Sequence, residues 1–430
     1  MPCLLRPNGR STARVSLLSS LILAIILLGC KEEVTRIEGV TVIPTGVAIH
    51  TQEDVERLRG VVEIQGGLAL VPDQEGNCDI RDLSPLEGLA QMRSLIVRGC
   101  PDLETLDGLE SLTSLVYLEL RDLASLRSIA GLHSLRRIEQ SSWIDMCPLL
   151  EDLRGFEGIE SVPSRLTISR CSSLSSLRGL DNLMEVDQLS LSDVPIRNLE
   201  GLDRLEEVAT IFALSYCDSL SSLSGAPTLR RLGNLSLVGP LALSDLSGLE
   251  ELVSCDGLRI LYDVGLVSLA GFGGTVRELE ITQTSLLSTA GLTPADSMGT
   301  VSVAANDHLM DLSGLAAAHS IDRLDIAANP ALTTLAPLTG VSVETSVLVY
   351  ANPSLVDLRG LESITSLLGL SIDNNESLES MAGLDNLQEV TYGGGVRGNP
   401  SLCQSDAETW AAQLPSTVFL DIRDNAECIR

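Results

Sequence analysis

The sequence predicts an α/β solenoid: about fourteen stacked coils of 20–24 residues, one long parallel sheet, and a helical cap at each end. Three observations predict it. First, a glycine recurs in a single frame as Gly88, Gly108, Gly131, Gly155, Gly179, Gly201, Gly225, Gly248, Gly271, Gly291, Gly314, Gly360 and Gly383, with Pro337 filling the one vacant step. Second, the stretch from Val347 to Leu370 shows what each unit contains. Val347 and Val349 alternate as in a half-buried strand, and Leu355, Leu358, Leu361, Ile364 and Leu367 then fall every third residue, as in a chain turning back repeatedly to one core. Third, aromatic residues make up 3% against 44% apolar, which suits a narrow core of stacked Leu, Val and Ile. A unit this short cannot bury its apolar face alone and needs neighbours on both sides.

The chain opens differently. Arg6, Arg10 and Arg14 give a positive start, Val15 to Leu28 is apolar, and no acid occurs before Glu32. Residues 1–29 therefore read as an export signal, too short for a comfortable membrane span. The run Leu27-Leu28-Gly29-Cys30 resembles the lipobox of bacterial lipoproteins. That resemblance implies cleavage before Cys30, a diacylglycerol on its thiol and acylation of the new amino group; a plain secretory signal with an incidental cysteine is the alternative. By the same analogy Lys31, rather than an aspartate, favours the outer membrane or cell surface.

Residues 30–50 lack the repeat and form a tether. Residues 51–80 make an amino-terminal cap: Thr51 caps a short helix that contains Asp54, Val55 and Leu58 and stops at Gly60, and VVEIQGGLALV supplies a first strand. Coils then fill residues 81–402. Each strand contributes an inward pair, such as Leu95/Val97, Leu118/Leu120, Leu166/Ile168, Leu235/Leu237, Leu258/Ile260 and Leu370/Ile372, with the residue between them facing outward. Three residues past each pair runs a second ladder: Cys100, Leu123, Cys147, Cys171, Val194, Cys217, Pro240, Asp263, Thr284, then Asn306, Asn329, Asn352, Asn375 and Asn399. An inward Asn can bond backbone groups that the turn leaves unpaired. Gly393-Gly394-Gly395 reads as a local backbone adjustment. Residues 403–430 form the second cap, with a capping-box start at Ser405–Glu408, Trp410 and Leu414 on one helix face, a stop at Pro415, and a last strand from Val418 to Asn425.

The Asn-or-Cys ladder with the recurring L-x-x-L-x-G-L resembles the leucine-rich repeats, in their receptor L-domain branch, as found in insulin-receptor-type ectodomains and many bacterial surface lipoproteins. The resemblance covers roughly residues 51–430. It is specific for fold and nearly silent on function, because such scaffolds carry many ligands.

Ten cysteines are present. With Cys3 lost with the signal and Cys30 lipidated, eight remain in a compartment that permits disulfides. Cys403 and Cys428 occupy nearly matching points of the last two coils and are paired; Cys78 and Cys100 are a possible pair at the other end. Cys147, Cys171 and Cys217 on the ladder, and Cys255 on the return path, read as buried thiols. The four histidines, His50, His133, His308 and His319, fall at unrelated points of the repeat. No metal or cofactor motif, phosphate loop or nucleophile elbow occurs, so no catalytic residue is assigned and the protein is expected not to be an enzyme.

A net charge of −29 argues against binding a phosphate backbone, so nucleic acid is not an expected partner. Binding is expected on the outward sheet face, whose central row runs Ile96, Glu119, Trp143, Thr167, Ser190, Ala213, Ser236, Arg259, Glu280, Ser302, Asp325, Leu348, Ser371 and Gly395. Interface anchors are commonly Trp, Tyr and Arg; the candidates are Trp143, Arg170, Tyr216, Arg259 and Tyr262. The leading expectation is a lipid-anchored envelope protein that binds a protein or other macromolecule through this face. A passive spacer lipoprotein without a dedicated ligand is the alternative.

Overall fold

The computed structural model describes residues 42–262, 265–414 and 420–428. The expected signal, Cys30, most of the tether, Asp263 and Pro415 lie outside them. The chain folds as a β-solenoid of about 16 turns. The glycine frame gives fourteen because the end coils lack its glycine. Two compact units divide after Pro163.

In the first unit the strands are β1 (Val42–Ile43), β2 (Val47–Ile49), β3 (Glu63–Leu70), β4 (Gln91–Arg98), β5 (Ser114–Leu115), β6 (Tyr117–Arg121), β7 (Arg137–Ile138) and β8 (Ser142–Asp145). β1 and β2 both pair in parallel with β3, which is followed laterally by β4, β6 and β8. β5 and β7 form a separate short ladder. Residues 42–50 thus belong to the fold and not to the tether expected over 30–50: Val47 and Ile49 are a buried alternating pair with Ala48 between them, the same device as Leu95 and Val97 in β4.

β9 (Ser161–Ser169) contains the division, and after it the second unit has β10 (Glu185–Ser192), β11 (Glu207–Ser215), β12 (Arg231–Val238), β13 (Ser254–Leu261) and β14 (Thr275–Thr282). Next come β15 (Thr293–Pro294), β16 (Ser297–Ala304), β17 (Ser320–Ala327), β18 (Ser342–Tyr350), β19 (Ser366–Leu367), β20 (Gly369–Asp373), β21 (Glu389–Val390), β22 (Gly394–Arg397) and β23 (Leu420–Arg423). The long strands stack in parallel and in sequence order. Register is set by the inward row: Leu189, Phe212, Leu235, Leu258, Leu279, Val301, Leu324, Val347 and Leu370 lie side by side. A slip of one residue would turn this row to water, which fixes the pairing.

The every-third spacing has a simple cause. After the strand the chain makes successive bends closed by i to i+3 backbone bonds, as at Leu361 N–H to Leu358 C=O (3.2 Å) and Ile364 N–H to Leu361 C=O (3.1 Å). A three-residue period returns every third side chain to the same side, and Leu355, Leu358, Leu361, Ile364 and Leu367 are all buried. Four of these bends are regular enough to be short 3₁₀ turns, including Ala336–Leu338, where Pro337 replaces the recurring glycine. Among the described residues helix is otherwise confined to the caps, so the α share of the expected α/β solenoid is small there.

At most of the recurring glycines a left-handed φ and crowding act together, as at Gly108 (φ 109°), where a Cβ would collide with the Leu83 carbonyl oxygen. At Gly131 the backbone φ is ordinary, yet a Cβ there would collide with the carbonyl oxygen of Leu106 in the preceding coil.

Buried asparagines connect coils in the second unit. The Asn329 N–H donates to Asn352 Oδ1 (3.0 Å) while Asn352 Nδ2 donates to the Ile326 carbonyl (2.9 Å). The same exchange runs from Asn306 to Asn399 and ends on Asn425, which accepts from Asn399 N–H and donates to the Val396 carbonyl. At the cysteine positions the thiol bonds a carbonyl of its own coil, as Cys171 does with Ser169 (3.3 Å), and Cys147 and Cys217 also reach the carbonyls of Leu120 (3.9 Å) and Leu191 (3.7 Å) in the preceding coil. Pro240, expected on the ladder, is exposed and Leu241 is buried beside it, because proline has no N–H to place in the turn.

The first cap is helix α1 (Gln52–Arg57). Thr51 accepts the Asp54 N–H, Asp54 accepts the Thr51 N–H, and Val55 and Leu58 are buried. The second is α2 (Gln404–Ala411). Its N-cap is Cys403, not the expected Ser405, because the Cys403 carbonyl takes both the Asp406 and Ala407 N–H groups. Trp410 is buried and its indole N–H reaches the Leu384 carbonyl (3.2 Å). Cys78–Cys100 and Cys403–Cys428 are disulfides.

Candidate binding face

Outward side chains of the strands form rows one residue off the buried ones. In the first unit Trp143 faces outward between Ser142 and Ile144, which are fully buried, and is itself half-buried beside Glu119. The row does not begin as expected: Ile96 and Glu119 are each 1% exposed. Glu119 is held by the Arg98 guanidinium at 2.5 and 2.6 Å and by the Tyr117 hydroxyl, which donates to it at 2.8 Å. Burial and the Glu119 carboxylate together push the Tyr117 phenol well above its ordinary pKa, so it stays a donor. Arg121 pairs with Asp145 at 3.3 Å beside them.

In the second unit Arg259 stands on the central row and pairs with Glu280 at 2.7 Å. Arg323 pairs with Asp325 two coils further on, at 2.9 Å. These residues, with Asn234, Gly257, Thr300 and Ser302, line a shallow polar groove of about 430 Å³. At Gly257 the Asn234 side-chain oxygen takes the space that a Cβ would need.

Arg170, Tyr216 and Tyr262 are not on the sheet rows. Each is the residue just after a strand, with φ of 54°, 54° and 59°. This left-handed site recurs in nearly every coil, occupied by Gly99, Asp122, Asp193, Gly239, Asn374 and Gly398 among others. Recurrence of Gly, Asn and Asp at one point of the repeat is the sequence signal that could have placed them. The position aims side chains at the rim, where Tyr216 is 55% and Tyr262 54% exposed. Between them in the stack lies Gly239, and the Tyr216 ring occupies the space that a Cβ on Gly239 would need.

Cys147, Cys171, Cys217 and Cys255 are buried thiols. Cys255 lies in β13, not on the return path, and donates to the Gly257 carbonyl at 3.1 Å. Burial pushes its pKa up to about 11. Among the described residues no group of His, Cys, Asp and Glu is arranged to hold a metal ion, and no helix is long and apolar enough to cross a membrane.

No family model and no curated protein matches the sequence. Among solved structures, an internalin from Listeria monocytogenes is similar at 18% identity over 87% of this chain and 94% of its own, with a TM-score of 0.41. Drosophila Toll, in its complex with Spatzle, is similar at 12% identity over 86% of this chain and 61% of its own, with a TM-score of 0.38. A complex of TLR13 with single-stranded RNA aligns at 13% identity over 88% of this chain and 73% of its own, with a TM-score of 0.29.

Proposed function

We propose that the protein is an exported, lipid-anchored component of the bacterial cell envelope that binds another macromolecule, without catalysis. The observation that carries the binding reading is the exposed pair Tyr216 and Tyr262 around Gly239 at the rim of the second unit. Two tyrosines held in left-handed turns cost backbone strain of about 1–2 kcal/mol each and contribute little to the core, whereas exposed aromatics anchor interfaces. The polar groove with Arg259 offers directional contacts in the same unit. The export reading draws on Arg6, Arg10, Arg14 and the apolar run to Leu28, and two disulfides suit an oxidising compartment. The acidic charge disfavours nucleic acid as the ligand.

Cross-linking capture from the native cell surface tests binding. Tyr216→Ala with Tyr262→Ala, and separately Trp143→Ala, should reduce captured partner at least five-fold with thermal stability nearly unchanged. Capture unaffected by all three changes would refute the face as the site. The spacer reading has its own support, since Ser190, Ala213, Ser236, Ser302 and Ser371 make much of the central row small; absence of any captured partner would favour it. For the anchor, Cys30→Ser should release the protein from membranes or leave its signal uncleaved, and unchanged attachment would refute lipidation.

A further inference from the structure

A row of apolar side chains lies exposed on the flank of the second unit, where each coil turns away from the ladder. The five successive coils that follow β13, β14, β16, β17 and β18 place Val267, Leu287, Met310, Thr333 and Val356 there, each directly after a buried leucine. The Leu287 N–H bonds the Val267 carbonyl (3.4 Å) and the Met310 N–H bonds the Leu287 carbonyl (3.0 Å), so these residues stand side by side. Val267 is 44%, Leu287 47%, Met310 56% and Val356 42% exposed. Single apolar residues on a surface are ordinary, but a contiguous run marks a contact site. The same place holds Arg197, Ser221 and Ser244 in the coils before and Glu379 in the coil after. The repeat itself therefore does not demand an apolar residue here. Three residues on, Ala270, Ala290, Ser313 and Ala336 form a second row of small exposed side chains. Polar groups between the two rows are taken up by the backbone: the Ser268, Ser288 and Thr334 hydroxyls accept the N–H groups of Ala270 (3.1 Å), Ala290 (2.9 Å) and Ala336 (3.0 Å).

We infer that this row seats an amphipathic, basic helix of a partner protein. From Val267 to Val356 it runs about 19 Å at sheet spacing, the length of a helix of about 13 residues. The apolar stripe of such a helix can lie along the larger side chains, and the small second row leaves room for its flank. Charge sets the character of the rest of the helix. Among the described residues within three positions of the row, the charged ones are Asp307, Asp311, Asp357 and Arg359, and Glu379 stands at its end. Asp357 lies 3.4 Å from Arg359, so Asp307, Asp311 and Glu379 supply a net negative charge for Lys or Arg beside the stripe. A second copy of this chain fits worse. It carries the same net charge of −29, which opposes self-association. A strip of that length and one helix wide (about 10 Å) is also a fraction of the roughly 800 Å² that a stable pair buries on each partner. This surface is separate from the outward sheet face, and the inference does not rest on the binding reading above.

The test uses the full chain and, as probe, a synthetic fluorescent peptide of about 14 residues with leucines on one stripe and lysines beside them. Anisotropy titration should give saturable binding. Met310→Ser with Leu287→Ser, which installs the residue that Ser221 and Ser244 already provide at this point, should weaken it at least about five-fold. Met310→Ser alone, with a smaller loss, serves should the double variant fold poorly. Ser175→Asp, at the same point of a coil outside the strip, should leave binding unchanged. A peptide of scrambled order, and one with glutamate for lysine, should each bind at least about five-fold more weakly. Equal binding of either peptide, serine variants that bind as the native chain does, or an equal loss in Ser175→Asp would overturn the inference. So would flotation of the native chain, but not of the serine variant, with phosphatidylcholine vesicles, which would make the strip a lipid contact. A dimer in sedimentation velocity that the serine variant abolishes would overturn it in favour of self-association.

Discussion

The guanidinium of Arg397 lies across Gly395. A Cβ on that glycine would stand 2.5 Å from both Cζ and Nε of the arginine. Gly395 is thus more than an adjustment of the backbone: it opens a place on the sheet through which Arg397 reaches Asp421 (2.8 Å) on the last strand and lies 3.6 Å from Asp373 on the other side. Gly395→Ala should displace the arginine and cost about 1 kcal/mol, the scale of a partly exposed ion pair. In the Arg397→Ala background the same change should cost much less, which a double-mutant cycle by denaturant unfolding would measure.

Two glycines separate crowding from backbone strain. Gly131→Ala places a methyl against the Leu106 carbonyl at an ordinary φ, whereas Gly340 has φ +93° with no atom within 4 Å of its Cβ position. Gly131→Ala should cost about 3 kcal/mol, as overpacking against rigid backbone does. Gly340→Ala should cost about 1 kcal/mol, the strain of the left-handed region. Denaturation midpoints would rank the two, and the reverse order would show that φ and not coil spacing selects the recurring glycine.

Asn352→Leu keeps the volume but leaves the Asn329 N–H and the Ile326 carbonyl without their partner inside the fold. Unsatisfied buried groups cost about 1–3 kcal/mol each, so a loss of about 2–4 kcal/mol is expected in urea unfolding. Asn352→Cys should cost less than Asn352→Leu, since cysteine fills the equivalent place in Cys171 and Cys217.

Peptide mapping without reduction should recover Cys78 linked to Cys100 and Cys403 linked to Cys428. Closing a loop of 25 residues stabilises by about 3.5 kcal/mol in the chain-entropy model, so Cys403→Ser with Cys428→Ser should lower the melting temperature. Iodoacetamide at pH 8 should leave Cys255 unmodified in the native protein, because its buried thiol titrates near about 11. Labelling of Cys255 at the rate of an unfolded control would contradict its burial.

Asp54 gives α1 a pH dependence. Burial raises its carboxyl pKa, but the His50 N–H, the Thr51 hydroxyl and N–H, and the Arg57 charge outweigh that and leave it below its ordinary value. A depressed folded pKa contributes stability that is present above the unfolded pKa near 3.9 and lost as pH falls through the folded value. The stability gap between the native protein and Asp54→Asn should therefore be larger at pH 7 than at pH 2.5. Thr51→Ala should cost about 1 kcal/mol at pH 7.

What the sequence determined by itself is whatever repeats. The glycine frame, the alternating pairs and the third-residue leucines recur because each coil meets the same neighbours, so one physical requirement is written many times over. Thr51 with Asp54, the pairing of Cys403 with Cys428, and the inward asparagines were legible for the same local reasons. The tertiary structure alone decided features that occur once or depend on what lies above a face. Alternation placed Ile96 and Glu119 outward, and they do face outward, yet both are buried; direction is set by the strand, but exposure is set by whatever covers it. Residues 42–50 read as tether because a strand of three residues is too short to show a period, and only its pairing with β3 reveals it. Tyr216 and Tyr262 sit on the rim and not on the sheet because a left-handed turn carries them, a backbone property that their own side chains do not announce and that only the Gly, Asn and Asp at the same point of other coils hint at.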